Sequence, residues 1–505
     1  VLGTDPGANA APGEVAIEYH CAGGSRLAAD SHLPTFHKVL ALARTPELQN
    51  LALSKCSRLV ANNLQFTNNA SSASLIKALL RDVVEMESLG SFGEAKASGP
   101  SFILAVHLTA QRAQLWQDNC SKILGGNGEV FTIQKFGGRR WNVGRSNSLW
   151  MVPAHDWLLV GCGNDFSPLL DEYLMQIKSL GRPVPALQHT WLEADLSSAR
   201  LGGWFHSLKP SRLRMTVAPN EDDLQISVRM FSEEVMPWKS NSWQIPKDLI
   251  RGQIISFTAG QNVAAFLNLD PAFSHLFGYP LTNQFYSWAL DQMPFLNYAA
   301  WPVANANKEL ERLSSEAPSV LNSELNQFNG TELVWNAKDR KLAWLNMGMF
   351  VPMFEAVKNN DGQFLFFYGF PQSPNNKPAP DALLARIEGR TNLVYYDWEL
   401  TGRRLSQWQI LKGMVANRAR GTNEDALSDM EMEIQWKNGV AGLLGSTATE
   451  ITSVASNELS LERKSTLGFT AVELTLLADW ICDADSGPIH SPAKAGNRAS
   501  RPFQP

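Results

Sequence analysis

The 505-residue chain has no apolar run approaching the roughly 18 residues that a membrane-spanning helix requires. It has no excess of basic charge either: 44 Lys and Arg stand against 49 Asp and Glu, for a net charge of -5. A nucleic-acid backbone would meet no global cationic surface. Cysteine is sparse and scattered, at Cys21, Cys56, Cys120, Cys162 and Cys482. No two have CxxC spacing, which excludes a small disulfide-stapled domain and leaves a zinc or redox centre unsupported. Such thiols are expected to pack as small apolar side chains, buried and unpaired.

The motifs of common chemistries are missing as well. No Gly-Lys-Ser/Thr marks a phosphate loop, no GxSxG marks a nucleophile elbow, and no HExxH marks a zinc helix. His32 and His37 are five apart, one too many to share a helical face as ligands. His155-Asp156 falls in a hairpin, where adjacent residues point apart. Gly161-Cys162-Gly163 resembles the opening of a dinucleotide fingerprint, but the third glycine is replaced by Phe166, so the segment reads as a tight turn. No cofactor and no metal are expected.

What is present is the material of a large fold. The hydrophobic fraction is 44% and the charged fraction 18%, which suits a sizeable core. Four segments are distinguished: a small-residue linker at 1–13, a first half at 14–250, a second at 251–482 and a tail at 483–505. The linker-like start is expected to follow a cleaved export signal or a trimming cut. The tail, with Pro488, Pro492, Arg498, Pro502 and Arg501, has the composition of a segment that orders on a partner.

Turn-bounded apolar runs predict strands at Val15–His20, Phe102–Leu108, Val130–Lys135, Trp141–Arg145, Trp157–Cys162, Thr190–Leu196, Arg212–Ala218 and Leu224–Phe231. Three- and four-residue spacing predicts helices at Leu33–Ala43, Ser74–Met86, Phe166–Ser179 and Ser197–Leu208. The order then begins again at Ile254–Thr258, with helices at Asn262–Leu269, Asn305–Ala317, Pro380–Ile387 and Phe469–Cys482. Late strands at Ala448–Ser453 and Glu458–Lys464 face each other across a turn. Three strand-to-helix junctions, from Thr190, Ile254 and Leu393, look alike. The expected fold class is α+β: largely antiparallel sheets covered by helices, with internal duplication of one strand–helix plan and a helical insertion near 403–437.

Asp397 and Glu399 share a face of the strand Asn392–Leu400, with α-carbons about 6.5–7 Å apart. Paired carboxylates divide acid and base roles in glycoside hydrolysis, so these two are the candidate catalytic residues. The competing reading is a solvent-facing edge. Glu193 and Asp195 occupy the analogous strand of the first half, as a second carboxylate pair or as helix caps. The 16 tryptophans suit sugar rings if exposed and sheet–helix packing if buried. Asn69-Ala70-Ser71, Asn119-Cys120-Ser121 and Asn329-Gly330-Thr331 match the glycosylation triplet.

The runs TNLVYYDWELTG from Thr391, KSTLGFTAVELTLLADW from Lys464 and GSRLAADSHLPTF from Gly24 resemble a group of uncharacterised, exported proteins of verrucomicrobial bacteria. The resemblance spans roughly 15–482 and implies export to the periplasm or cell surface. It carries no catalytic residue. The expected function is therefore non-enzymatic binding or scaffolding in the bacterial envelope, or within a larger assembly. The expected counterpart is a protein partner or a second copy, docked through the 483–505 tail. Nucleic acid is excluded, and peripheral membrane association stays open. The alternative is a carbohydrate-active protein, either a glycan binder using exposed Trp or a hydrolase using Asp397 and Glu399.

Overall fold

The structure is a computed structural model. It describes residues 15–63, 69–93, 101–143, 147–163, 167–197, 210–235, 241–262, 284–292, 297–325, 332–345, 351–369, 377–419 and 424–482. The 1–13 linker, the 483–505 tail and almost all of the helices expected at Ser197–Leu208 and Asn262–Leu269 lie outside the described residues.

Among the described residues, ten strands come from the first half of the chain: β1 (Val15–Cys21), β2 (Ser88–Gly93), β3 (Phe102–His107), β4 (Glu129–Ile133), β5 (Phe136–Val143), β6 (Asn147–Ala154), β7 (Trp157–Cys162), β8 (Leu192–Ser197), β9 (Pro210–Asn220) and β10 (Asp223–Ser232). Ten follow from the second: β11 (Ile254–Gln261), β12 (Gln284–Leu290), β13 (Asn297–Pro302), β14 (Glu332–Asn336), β15 (Lys341–Leu345), β16 (Met353–Asn359), β17 (Gly362–Tyr368), β18 (Leu393–Leu400), β19 (Ser446–Ala455) and β20 (Glu458–Ser465). Every pairing between them is antiparallel, and all twenty join one sheet.

Followed through its hydrogen bonds, the first half of the sheet runs 4-5-6-7-3-2-1-8-9-10. The second runs 14-15-16-17-13-12-11-18-19-20. They meet where β10 pairs β20 over Leu224–Phe231 and Glu458–Ser465.

This corrects the expected fold class. There are not two sheets, each covered by helices on a shared strand–helix plan, but one sheet, and the described helices do not form such layers. Helices α1 (Gly24–Ala29), α2 (Pro34–Leu40), α3 (Thr45–Asn63) and α4 (Asn69–Glu85) all fall between β1 and β2. α5 (Ala110–Leu124) follows β3, and α6 (Ser167–Leu180) follows β7. In the second half α7 (Ala306–Leu325) follows β13, whereas α8 (Asp381–Leu384), after β17, has only four residues. α9 (Thr401–Ala419) and α10 (Glu424–Ala441) lie between β18 and β19, and α11 (Ala471–Cys482) follows β20. The reason is the β10–β20 seam. Each of these strands reads as the end of its own half, and nothing local announces that the two ends pair.

The core sits at the two ends of the sheet. β7 is buried along its whole length because α6 packs Leu170, Tyr173, Leu174 and Ile177 on one face and α5 packs Trp116 and Cys120 on the other. Gly161 in β7 is bare because the Trp150 indole lies over it: a Cβ there would fall 1.8 Å from Trp150 Cζ2. At the other end Trp288, Tyr298 and Phe366 stack with centroids 5.7–5.9 Å apart beside α8. A third cluster joins α2, α9, α10 and α11 through Val39, Leu405, Val440 and Leu474.

Cys21, Cys56, Cys120 and Cys162 are free thiols, and burial pushes the Cys120 thiol up to about 12. No described helix is long and apolar enough to cross a membrane.

Candidate functional site

A concavity of about 630 Å³ lies beside α6, over β2, β1, β8 and β9. Simple alternation builds its floor. Glu18 and His20 alternate with Ile17 and Tyr19 in β1, Glu193 and Asp195 with Leu192 and Ala194 in β8, and Arg214 and Thr216 with Leu213 and Met215 in β9. The register sets Glu18 opposite Asp195 and Asp195 opposite Arg214. His20 likewise stands opposite Glu193, and Glu193 opposite Thr216. Leu89 and Ser91 of β2 extend the floor, and Tyr173 of α6 with the segment Val184–Gln188 makes the wall.

That wall is held by arginines. Arg26 donates to the carbonyls of Leu187 at 2.7 Å and Gln188 at 3.3 Å. Arg182 donates from Nε to the Val184 carbonyl at 2.7 Å. Arg182 also pairs with Glu87, which bonds His20 Nε2 at 2.9 Å. Burial would raise Glu87, but the His20 hydrogen bond and the Arg182 guanidinium hold it below the usual carboxylate range.

On the floor, Asp195 is fully engaged. Arg212 grips both its oxygens at 2.7 and 2.6 Å, and Arg214 Nε reaches it at 3.1 Å. Glu193 accepts from the Thr190 hydroxyl at 2.7 Å. Glu18 opens onto the cavity, yet its walls strip away enough water, with help from the Asp195 charge, to raise it above the usual range against the pull of Arg212. Burial pushes Tyr173 up to about 12.

The candidate pair Asp397 and Glu399 is elsewhere. Register carries from Glu193 to Thr216, Ser227, Glu462, Glu450 and Tyr396. Tyr396 therefore shares the cavity's face, and Asp397 and Glu399 project from the opposite one. The two carboxylate pairs stand on strands of equal rank in the sheet order but on opposite sides of the sheet, which corrects the idea of one repeated site.

Asp397 accepts from the Thr258 hydroxyl at 2.6 Å. Glu399, 7% exposed, accepts from the backbone N–H of Ala471 at 2.6 Å, at the first turn of α11. Burial raises both, Glu399 to about 7. Nearby, Arg463 bonds Glu473 through both terminal nitrogens, at 2.8 and 3.1 Å. Thr470 and Glu473 close a capping box on α11. Neither carboxylate lines the 630 Å³ cavity.

None of the described tryptophans is exposed. His155-Asp156 forms the turn between β6 and β7. Asn119 of one glycosylation triplet is 3% exposed, its amide turned to the Leu75 carbonyl. Among the described residues no three His, Cys, Asp or Glu side chains converge on a metal-sized point. Sequence reasoning noticed Glu193 and Asp195 but missed Glu18, His20, Arg214 and Tyr173. The available signal was polar alternation in β1, β8 and β9 together, which marks a sheet face no helix covers.

Compared with family models, curated proteins and solved structures, the chain matches none.

Proposed function

We propose that the chain is a non-enzymatic binding protein, with the cavity over β1, β2, β8 and β9 as its recognition site. The observation that carries this reading is the convergence of charged side chains from three neighbouring strands on one concavity whose wall is already fixed by Arg26 and Arg182. A site that needs no ordering on binding keeps more of its interaction energy as affinity. Placement in the bacterial envelope, alone or within a larger assembly, belongs to the same proposal and rests on the verrucomicrobial resemblance.

The carbohydrate readings have less behind them. A glycan platform needs exposed indoles, and the described ones are buried or half-buried. Asp397 and Glu399 are bonded to Thr258 and to the start of α11, an arrangement that supports a structural role.

Thermal-shift measurement tests the cavity with probes of distinct chemistry: glucose, phosphate, citrate, arginine and leucyl-leucine. A ligand that binds only the folded state raises its melting temperature. At least one class should raise that of the wild type and leave a Thr216→Trp variant, whose indole fills the floor, unmoved. If wild type and variant respond alike to every probe, the cavity is not the site.

A further inference from the structure

We propose that the cavity takes a small zwitterion, an amino acid or short peptide carrying a free ammonium and a free carboxylate. This rests on the reading of the cavity as the binding site and names its ligand class.

The floor has two poles. Among the described residues no hydrogen bond or ion pair engages the Glu18 carboxylate. Glu193, its diagonal neighbour on β8, takes only the neutral hydroxyl of Thr190. Asp195 is not a third free carboxylate, because Arg212 and Arg214 neutralise it. Glu18 and Glu193 are thus two carboxylates outside any ion pair among the described residues, close enough together to share one ammonium.

Arg214 is the opposite pole. Its Nε is committed to Asp195 and its guanidinium carbon lies 6.0 Å from the centre of the Phe231 ring, while its terminal nitrogens make no hydrogen bond among the described residues. A guanidinium with both terminal nitrogens free is shaped for a carboxylate.

β8 separates the poles, so the α-carbons of Glu18 and Arg214 lie about 9–10 Å apart on one face. The ends of a dipeptide are separated by a span the two side chains can bridge. A lone cation leaves Arg214 unanswered, and a lone anion is repelled by Glu18 and Glu193. The wall adds a third element: Leu89, Tyr173, Val184 and Leu187 form an apolar side against which a ligand side chain rests. A volume of about 630 Å³ lies within the range of small-molecule sites.

Calorimetric titration of the full chain at pH 7 tests this with leucyl-leucine, its N-acetyl form and its amide. The free dipeptide should bind, and each blocked form at least tenfold more weakly. Glu18→Gln should weaken the free dipeptide by the same factor and leave the N-acetyl form unchanged. Arg214→Gln should do likewise, leaving the amide unchanged. Both variants should melt with the wild type.

Equal binding of free and blocked dipeptides, indifference to both substitutions, or no binding at all overturns the zwitterion. Should another probe bind in a way that Thr216→Trp abolishes while leucyl-leucine gives no heat, the ligand class is lost and the cavity stands. If no probe distinguishes Thr216→Trp from wild type, both fall.

Discussion

β8 and β18 hold the same rank in the two halves of the strand order, and each carries two carboxylates two positions apart. Their fates differ. Glu193 and Asp195 look out over an open floor, where Arg212 and Arg214 hold Asp195 and the Thr190 hydroxyl meets Glu193. Asp397 and Glu399 look into the helical side, where Ala471 N–H and the Thr258 hydroxyl occupy them. A shift of one residue in strand phase separates the two outcomes, because successive side chains take opposite faces. Acidic residues at equivalent places in a repeated strand order therefore say nothing about a shared site until the face is known.

The sharpest way to break this comparison is on the closed side. Arg463 ties β20 to the Thr449 hydroxyl, the Gly468 carbonyl and the Glu473 carboxylate. Replacing it with Ala strips the buried Thr449 hydroxyl and Gly468 carbonyl of this donor and leaves Glu473 only its Thr470 N–H, at a cost of about 3 kcal/mol. The urea midpoint should fall accordingly with an unchanged slope; an unchanged midpoint would contradict the closed-side account.

The next effect in size is a pH dependence. Glu399 titrates at about 7 in the folded chain against an ordinary 4.5. A raised carboxyl binds its proton more tightly when folded, so its stabilisation is complete below about 4.5 and is lost as pH rises through about 7. Melting temperatures from pH 5 to pH 8 should fall more for the wild type than for Glu399→Gln, which cannot titrate. Parallel profiles would show that Glu399 is not held as described.

The smallest effect belongs to the open side. Glu193→Gln removes a charge that only a surface hydroxyl meets, and should change stability by no more than about 0.5 kcal/mol. A loss comparable to that of Arg463→Ala would erase the contrast.

The contrast also explains what could be read in advance. β7 was legible residue for residue, Trp157–Cys162, because an apolar run between turns is a local signal. The β9–β10 and β19–β20 hairpins were legible for the same reason. β2 was not. Its small residues look like a turn, yet Gly90 is small because the Tyr19 ring lies on it: a Cβ would come within 2.6 Å of Tyr19 Cε1. α3 was missed because buried Lys55 and Ser57 interrupt its apolar stripe; Lys55 donates to the Trp480 carbonyl of α11. The seam and the cavity floor were out of reach for another reason. Both are assembled from strands far apart in the chain, and periodicity carries no information about which strand lies next to which.

The seam has a consequence for how the chain is made. Arg229 and Glu458, bonded across β10 and β20, are 229 positions apart. At about 5–20 residues per second, a ribosome needs on the order of 10–50 s to travel that distance. Throughout that interval the nascent first half ends in an unpaired row of amides and carbonyls along β10, the kind of edge that recruits any free strand. Since the late-arriving β20 occupies in its half the place β10 holds in the other, the nearest imitation of the missing strand is β10 of a neighbouring nascent chain. Polysomes translating this message thus bring together two copies of the same sticky margin, and a chaperone that shields Leu224–Phe231 until translation ends would decide the yield.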